Sequence, residues 1–161
     1  MAAKKKLTFE ERLQQVEALI AKMESGEIDA AERDRQVAGA RLSDEQRRAV
    51  EYVTGPERIA VVVGFAGAGK STMLAAAREA WEAQGYQVHG AALAGRAAEG
   101  LEESSGIASR TLASWDRSWQ NERHQLGRGD VLVVDEAGMV GSRQLARFVG
   151  EAEVRGAKLV L

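Results

Sequence analysis

Residues 64–71, Gly-Phe-Ala-Gly-Ala-Gly-Lys-Ser, match the pattern G-x-x-x-x-G-K-[ST] of a phosphate-binding loop. The apolar residues 59–63 before them predict a buried strand, and residues 72–83 after them, rich in Ala, Met and Leu, predict a helix. Glycines let backbone N–H groups approach phosphate oxygens, and a helix N-terminus adds partial positive charge. A glycine-rich turn without a ligand is the alternative, but the flanking strand and helix favour phosphate binding.

Two side chains at the end of this loop have predicted roles. Lys70 would reach the β- and γ-phosphates of a nucleoside triphosphate, and Ser71 would hold Mg²⁺ through its hydroxyl. The other residues expected to bind the nucleotide lie in the loop and offer backbone N–H groups: Gly64, Ala66, Gly67, Ala68 and Gly69. The loop therefore predicts a nucleotide site with Mg²⁺.

A second motif supplies the acidic groups that a nucleotide hydrolase needs. Residues 131–134 predict a buried strand, which delivers Asp135 at its carboxyl end, where ligands gather in open α/β sheets. We expect Asp135 to bind Mg²⁺ and Glu136 to orient and deprotonate the attacking water. An ordinary strand that ends in acidic loop residues is the alternative. The adjacent pair argues against a nucleotide kinase, and the lack of an Asn-Lys-x-Asp sequence argues against a GTPase. The predicted catalytic residues are Lys70, Asp135 and Glu136.

The composition limits the remaining choices. A chain of 161 residues has room for one domain and a helical extension. No apolar run approaches the ~20 residues that span a bilayer. Cysteine is absent, which excludes disulfides and is compatible with the cytoplasmic location that we expect. The net charge of −2 gives no global attraction to nucleic acid, so any contact with DNA must come from a local patch.

The chain divides into two regions. Residues 1–41 predict a helical N-terminal extension, with helices over residues 7–24 and 29–37. Its first helix has an apolar stripe, which we expect to pack on the following domain or on a second copy, in preference to a specific partner. Residues 42–161 alternate between predicted helices (43–52, 72–83, 94–103, 111–125 and 142–155) and predicted strands (59–63, 86–93, 131–134 and 158–161). This alternation predicts an α/β domain with a parallel sheet covered on both faces.

Five segments follow the order of motifs in superfamily 1 DNA helicases. They are residues 42–50 (LSDEQRRAV), 63–72 (VGFAGAGKST), 90–101 (GAALAGRAAEGL), 109–115 (SRTLASW) and 131–145 (VLVVDEAGMVGSRQL). Together they resemble the RecD-like branch, and within it the helicase part of Ti-type conjugative relaxases, the TraA group. The resemblance covers about three quarters of the chain and implies a RecA-like P-loop ATPase domain over residues 42–161.

The resemblance also implies the identity of the nucleotide. Gln46 matches the glutamine that contacts the adenine edge in this family, which indicates ATP. Ser43 and Gln46 also have the spacing of a capping box, so Gln46 alternatively closes a helix N-terminus. Thr72 either helps to position the loop or is an ordinary residue of the first helical turn.

Residues that contact single-stranded DNA are implied at four positions: Arg96, Thr111, Ser114 and Trp115. Similar helicases often have Pro-Thr before Gly-Arg, whereas this chain has Leu93-Ala94, which removes one threonine hydroxyl from that role. Trp115 either stacks on a base or belongs to a core stripe with Leu112 and Trp119, and the helical spacing favours the core.

The resemblance implies a larger machine than the sequence at hand. Similar helicases continue into a Gly-Asp-x-x-Gln motif and a second RecA-like domain that supplies arginine fingers. Without an arginine finger, turnover falls by about 10³–10⁵. We therefore expect this chain to bind Mg-ATP weakly, to hydrolyse it slowly and not to unwind DNA alone. The expected partners are single-stranded DNA and the remainder of a relaxase-helicase or conjugation machinery.

Two other functions stay open at this point. The chain is alternatively a non-catalytic nucleotide-binding module that self-associates through its N-terminal helices. An unrelated P-loop ATPase, of a DNA-loading or partitioning kind, is a third interpretation.

Overall fold

A computed structural model describes residues 42–64 and 69–161 of the chain. The predicted helical extension over residues 1–41 and the loop residues Ala66, Gly67 and Ala68 lie outside the described residues.

The described residues form five helices and five strands in alternating order. The helices are α1 (Asp44–Val53), α2 (Lys70–Ala83), α3 (Gly95–Ser105), α4 (Leu112–Gln120) and α5 (Ser142–Arg155). The strands are β1 (Ile59–Ala60), β2 (Gln87–Ala92), β3 (Ser109–Thr111), β4 (Asp130–Val134) and β5 (Lys158–Val160). A short 3₁₀ helix, Ala137–Met139, follows β4.

The five strands form one sheet in the order β1-β5-β4-β2-β3, and every pairing is parallel. The predicted α/β class with a parallel sheet is therefore confirmed. Because all strands run the same way, their carboxyl ends meet at one edge of the sheet. The segments that follow β1, β2, β3 and β4 are thus brought side by side at this edge.

Alternation along the strands divides the core into two layers. Val131 and Val133 point to the layer beneath α1, α2 and α3, whereas Leu132 and Val134 point to the layer beneath α4 and α5. Trp81 of α2 and Phe148 of α5 are the largest fully buried side chains. Both faces of β4 are covered, which explains why its sequence is a continuous apolar run.

The prediction of a buried strand over residues 59–63 is wrong in one respect. Among the strands that the structure describes, β1 lies at an end of the sheet, and its Ala60 side chain belongs to the core beneath α1, α2 and α3. Ile59, Val61 and Val63 point the other way, and their exposed fractions are 41%, 53% and 94%. An apolar run predicts a strand but does not distinguish a strand inside a sheet from one at its end.

The prediction for residues 111–125 also differs from the structure. The helix α4 ends at Gln120. Glu122 and His124 adopt positive φ angles of 54° and 50°, which a right-handed helix does not accommodate. Residues 109–111, which carried no strand prediction, form β3 beside β2. A strand of three residues gives too little periodicity for sequence analysis to detect.

Lys158 connects the turn between α1 and β1 to the sheet through hydrogen bonds. It is the first residue of β5 and is 7% exposed. Its ammonium group donates hydrogen bonds to the carbonyl oxygens of Gly55, at 2.8 Å, and of Glu57. Burial lowers the pKa of Lys158 to about 8, while the nearby charge of Glu57 opposes this shift.

Within residues 42–64 and 69–161, no helix is long and apolar enough to cross a membrane.

The depressed pKa of Lys158 predicts how stability depends on pH. The folded pKa is about 8 and the ordinary value is 10.5, so the unfolded chain binds more protons between these pH values. The free energy of unfolding should therefore rise with pH across that window and level off above it. The free energy of unfolding of the unsubstituted protein should rise across this pH window by on the order of 2 kcal/mol more than that of Lys158→Met, whose side chain cannot titrate. Urea unfolding of both proteins from pH 7 to 10.5 measures this difference, and parallel pH profiles would contradict it.

Candidate functional site

The carboxyl end of the phosphate-binding loop opens directly into α2. Gly69 is the N-cap of this helix and has a φ angle of +74°, a conformation that glycine adopts without strain. No side chain caps the helix. The N–H groups of its first turn, from Lys70, Ser71 and Thr72, have no acceptor within the helix, and they are suited to an anion.

Lys70 closes the loop from the side of the helix. Its Nζ atom donates a hydrogen bond to the carbonyl oxygen of Gly64, 3.3 Å away. Gly64 begins the loop and Lys70 lies near its end, so this hydrogen bond connects the two ends of the loop. This placement puts a positive charge at the start of the loop, on the wall of the cavity that Lys70 and Gly64 both line.

The acidic pair follows β4 at the same edge of the sheet. The N–H group of Asp135 donates to the carbonyl oxygen of Ala91 in β2, at 2.9 Å, which extends the parallel ladder by one residue. Asp135 Oδ1 accepts a hydrogen bond from the N–H group of Glu136 at 3.0 Å. These two bonds fix the direction in which the chain leaves the strand.

Glu136 adopts a left-handed backbone conformation, with φ 51° and ψ 39°. It is one of three non-glycine residues with positive φ in the described part of the chain. A left-handed conformation costs about 1–2 kcal/mol for a residue with a Cβ atom. Such strain is often found at functional positions, and here it occurs at the predicted general base.

One cavity of about 550 Å³ joins the loop and the acidic pair. Gly64, Lys70, Asp135 and Glu136, four of the predicted site residues, line it together. Its apolar wall was not predicted, and it includes side chains of α2, of α5 and of the residues that follow β1 and β5: Val61, Met73, Leu74, Leu145 and Leu161. The periodicity of these residues indicates only core positions, so no sequence signal separates the wall from the rest of the core.

The residues present fit Mg²⁺ by their chemistry. A hydroxyl oxygen from Ser71 and a carboxylate from Asp135 are hard oxygen ligands, which Mg²⁺ prefers. The described residues hold no cluster of three or more His, Asp or Glu side chains suited to a metal. Two protein ligands are nevertheless enough, because Mg²⁺ in nucleotide sites keeps waters and binds substrate phosphates.

Gln46 adjoins the loop from α1. The capping box predicted for Ser43 and Gln46 is confirmed, with Ser43 Oγ accepting from the Gln46 N–H group at 3.2 Å. In addition, Gln46 Nε2 donates to the carbonyl oxygen of Gly69 at 3.1 Å. Gln46 thus contacts the residue at which the phosphate-binding loop ends, and its implied contact with adenine stays a prediction.

The residues implied to contact DNA lie at or after the carboxyl ends of β2 and β3, beyond the acidic pair along the same edge. Arg96 is exposed in the first turn of α3. Thr111 is the N-cap of α4, and its hydroxyl accepts a hydrogen bond from the Ser114 N–H group at 3.1 Å. Ala94 is the N-cap of α3 and offers no side-chain cap.

Trp115 is buried, with 2% of its surface exposed. Its Nε1 donates to the carbonyl oxygen of Gly90 at 3.0 Å, and the guanidinium of Arg110 lies 3.9 Å from the ring centroid. Trp119 packs against it at 5.8 Å between centroids. A ring enclosed in this way offers no face to a base, so the core interpretation holds for Trp115 and base stacking does not.

Comparison with known proteins identifies the domain. Residues 41–161 match the AAA domain family. The chain belongs to this family. Its AAA domain is 64% identical over 122 residues to a probable conjugal transfer protein TraA of Sinorhizobium fredii, and 61% identical over 121 residues to the conjugal transfer protein TraA of Rhizobium radiobacter. It is also 30% identical over 124 residues to the ATP-dependent RecD2 DNA helicase of Deinococcus radiodurans. The resemblance inferred from the order of motifs is therefore confirmed.

The AAA domain is a small part of these relatives. The matched residues are 76% and 75% of this chain but 11% of each TraA protein, and 74% of this chain but 17% of the RecD2 helicase.

The backbone conformation of Glu136 predicts an unusual response to substitution. In a helix, Gly is less stable than Ala by about 1 kcal/mol. At Glu136 the order should reverse, because Gly relieves the left-handed strain that Ala keeps. We expect Glu136→Gly to unfold with a free energy about 1 kcal/mol higher than Glu136→Ala, as measured with urea. Both variants lose the carboxylate, so the comparison isolates the backbone, and equal stability of the two would refute the strain.

Proposed function

We propose that this AAA domain binds Mg-ATP and hydrolyses it, as the first motor domain of a DNA helicase that acts on single-stranded DNA in conjugal transfer. The observation that carries the proposal is the one cavity that Lys70, Asp135 and Glu136 line together. The similarity to TraA proteins and to an ATP-dependent DNA helicase supports the same function.

The described side chains divide the chemistry between them. Lys70 and the first-turn N–H groups of α2 bind the phosphates and neutralise their charge. Asp135 and Ser71 hold Mg²⁺, which supplies charge neutralisation at the phosphate oxygens when it is bound. Glu136 orients a water molecule and accepts its proton. Separate carboxylates suit separate tasks, because a carboxylate that binds a metal is a poor base.

Turnover by the domain alone is proposed to be slow. Among the described residues that line the cavity, Lys70 is the one cationic side chain. Phosphoryl transfer spreads negative charge over three oxygens, and an added arginine increases its rate by about 10³–10⁵. The described part of the domain thus has groups that bind the nucleotide and activate water, but a single cation to stabilise the negative charge of the transition state.

The DNA track is proposed to run along the carboxyl edge of the sheet, past α3. Arg96 is an exposed cation in the first turn of α3, and Thr111 and Ser114 lie beyond it, at the end of β3 and in the first turn of α4. The acidic pair after β4 is then the part of the ATP site nearest this track, because β4 neighbours β2 in the sheet. Movement of that segment during hydrolysis would couple the two.

Removal of the loop ammonium tests nucleotide binding. We expect Lys70→Ala to weaken Mg-ATP binding by about 10–100-fold, because a charge-assisted contact of about 1.5–3 kcal/mol is lost. Isothermal titration calorimetry measures both affinities. Arg58→Ala is the matched control, since Arg58 is an exposed cation before the opposite end of β1. Equal affinity of Lys70→Ala and the control would overturn the ATP site.

Single-stranded DNA binding tests the motor function against a nucleotide-binding module without DNA. Affinity for a labelled oligothymidine should fall with salt, and Arg96→Ala should weaken binding and reduce the salt slope by about 1. Fluorescence anisotropy from 50 to 200 mM salt measures both quantities, again with Arg58→Ala as control. If the chain binds no DNA, or if Arg96→Ala leaves the slope unchanged, the proposed track is wrong.

A further inference from the structure

A second cavity lies on the face of the sheet that α4 covers, near the amino ends of β2 and β4. Its volume is about 420 Å³, and none of the residues that line it belongs to the cavity of Lys70 and Asp135. Both histidines of the chain lie in its wall. The polar side chains that line it are Gln87, His89, Arg110, His124, Gln125 and Asp130. The proposed nucleotide chemistry uses none of these groups.

Arg110 brings a positive charge to this cavity. It is the middle residue of β3, and its guanidinium lies 3.9 Å from the ring centroid of Trp115 and donates to Ser118 Oγ at 3.2 Å. Among the described residues, no carboxylate forms an ion pair with Arg110. Burial lowers the pKa of Arg110, because the charged form has lost part of its hydration. A guanidinium in this position is stabilised by an anion that replaces the missing water.

Asp130 does not supply that anion, although it is the one carboxylate in the described wall of the cavity. Its Oδ1 atom lies 2.7 Å from His89 Nε2, and its Oδ2 atom accepts a hydrogen bond from the Gly127 N–H group at 2.7 Å. Both oxygens of Asp130 therefore have partners other than Arg110. Because its charge repels an anion, a ligand of the cavity must place its own negative group on the Arg110 side.

The loop between α4 and β4 completes the wall with His124, Gln125 and Leu126. Glu122 and His124 of this loop have positive φ angles, which are costly for residues with a Cβ atom. The indole Nε1 of Trp119 donates to the carbonyl oxygen of His124 at 3.2 Å and holds the loop in this conformation. Such strain persists where the surroundings impose it, and it is common beside ligand sites.

We propose that this cavity binds a small organic oxyanion, with Arg110 as the principal contact. The planar guanidinium presents paired N–H donors that match the two oxygens of a carboxylate or phosphate group. Leu126 and Trp115 offer apolar surface to the carbon skeleton that carries this group. The volume falls in the range of about 300–1,000 Å³ that is usual for small-molecule sites. The site is independent of the proposed ATP site and lies away from the carboxyl edge of the sheet, where the DNA track is proposed.

The two histidines give this cavity a spectroscopic probe of its own. In protein labelled with ¹³C-histidine, each ring signal in a ¹H–¹³C spectrum belongs to His89 or His124, and both line the cavity. The probes are inorganic phosphate and citrate, titrated into the whole chain without Mg²⁺ at fixed pH and ionic strength, with sodium chloride as the reference salt. We expect the ring signals to shift and to saturate with a millimolar dissociation constant for at least one probe. Lys70→Ala should show the same shifts, since the phosphate-binding loop shares no residue with this cavity.

Substitution of Arg110 tests the principal contact. We expect Arg110→Gln to weaken binding of the probe by about 10-fold or more, because a charge-assisted pair is lost. Arg110→Lys keeps the charge without the paired donors and should retain part of the affinity. Arg117→Gln is the matched control, since Arg117 is an exposed arginine of α4 outside the cavity wall, and it should leave the affinity within a factor of two. Near-ultraviolet circular dichroism of each variant establishes that the tryptophan cluster is folded.

Every other outcome contradicts the inference. If neither probe moves the histidine signals more than sodium chloride does, the cavity takes no oxyanion. If Arg110→Gln and Arg117→Gln weaken binding equally, the ion is held by the general charge of the surface. If Lys70→Ala abolishes the shifts, they originate at the phosphate-binding loop. If oligothymidine moves the signals and neither small probe does, the cavity contacts DNA. Failure of ATP binding leaves all these results unchanged, so the two proposals fail separately.

Discussion

The parallel hydrogen-bond ladder of the sheet is the constraint on which the site depends. It aligns the strands in one direction, so the loop after β1 and the acidic pair after β4 emerge at the same edge, although about 65 residues separate them in sequence. The bond from the Asp135 N–H group to Ala91 carries the ladder one residue past β4 and fixes where the carboxylate leaves the sheet. A slip of one residue in this register would turn Asp135 to the other face.

Sequence alone predicts the parts of this structure that local chemistry determines. The loop pattern, the apolar run of β4 and the Asp-Glu pair each have a strict physical requirement, and the structure brings them to one cavity. The capping box at Ser43 and Gln46 is predicted equally well, because its two hydrogen bonds form within one helical turn. The core position of Trp115 follows from its helical spacing with Leu112 and Trp119.

Features set by tertiary context could not be predicted in this way. The sequence Ile-Ala-Val-Val-Val of residues 59–63 is as apolar as β4, yet β1 lies at an end of the sheet, because strand order is set by the whole chain. The positive φ of Glu136 is unexpected for a glutamate, since only the surrounding turn imposes it. The bond between Gln46 and Gly69 joins residues that have no local relation. These features lie within or beside the candidate site, where local preferences are most often overruled.

The uncovered side of β1 has a consequence for the behaviour of the protein in solution. Among residues 42–64 and 69–161, no strand pairs with the outer edge of β1, and Ile59 of β1 and Val61 and Val63 after it are exposed apolar side chains beside that edge. Backbone groups and β-branched side chains presented together are the template from which intermolecular sheets grow. In the part of the chain that the structure describes, this edge is therefore where we expect intermolecular strand pairing to start, and Val63→Lys would oppose it with a charge.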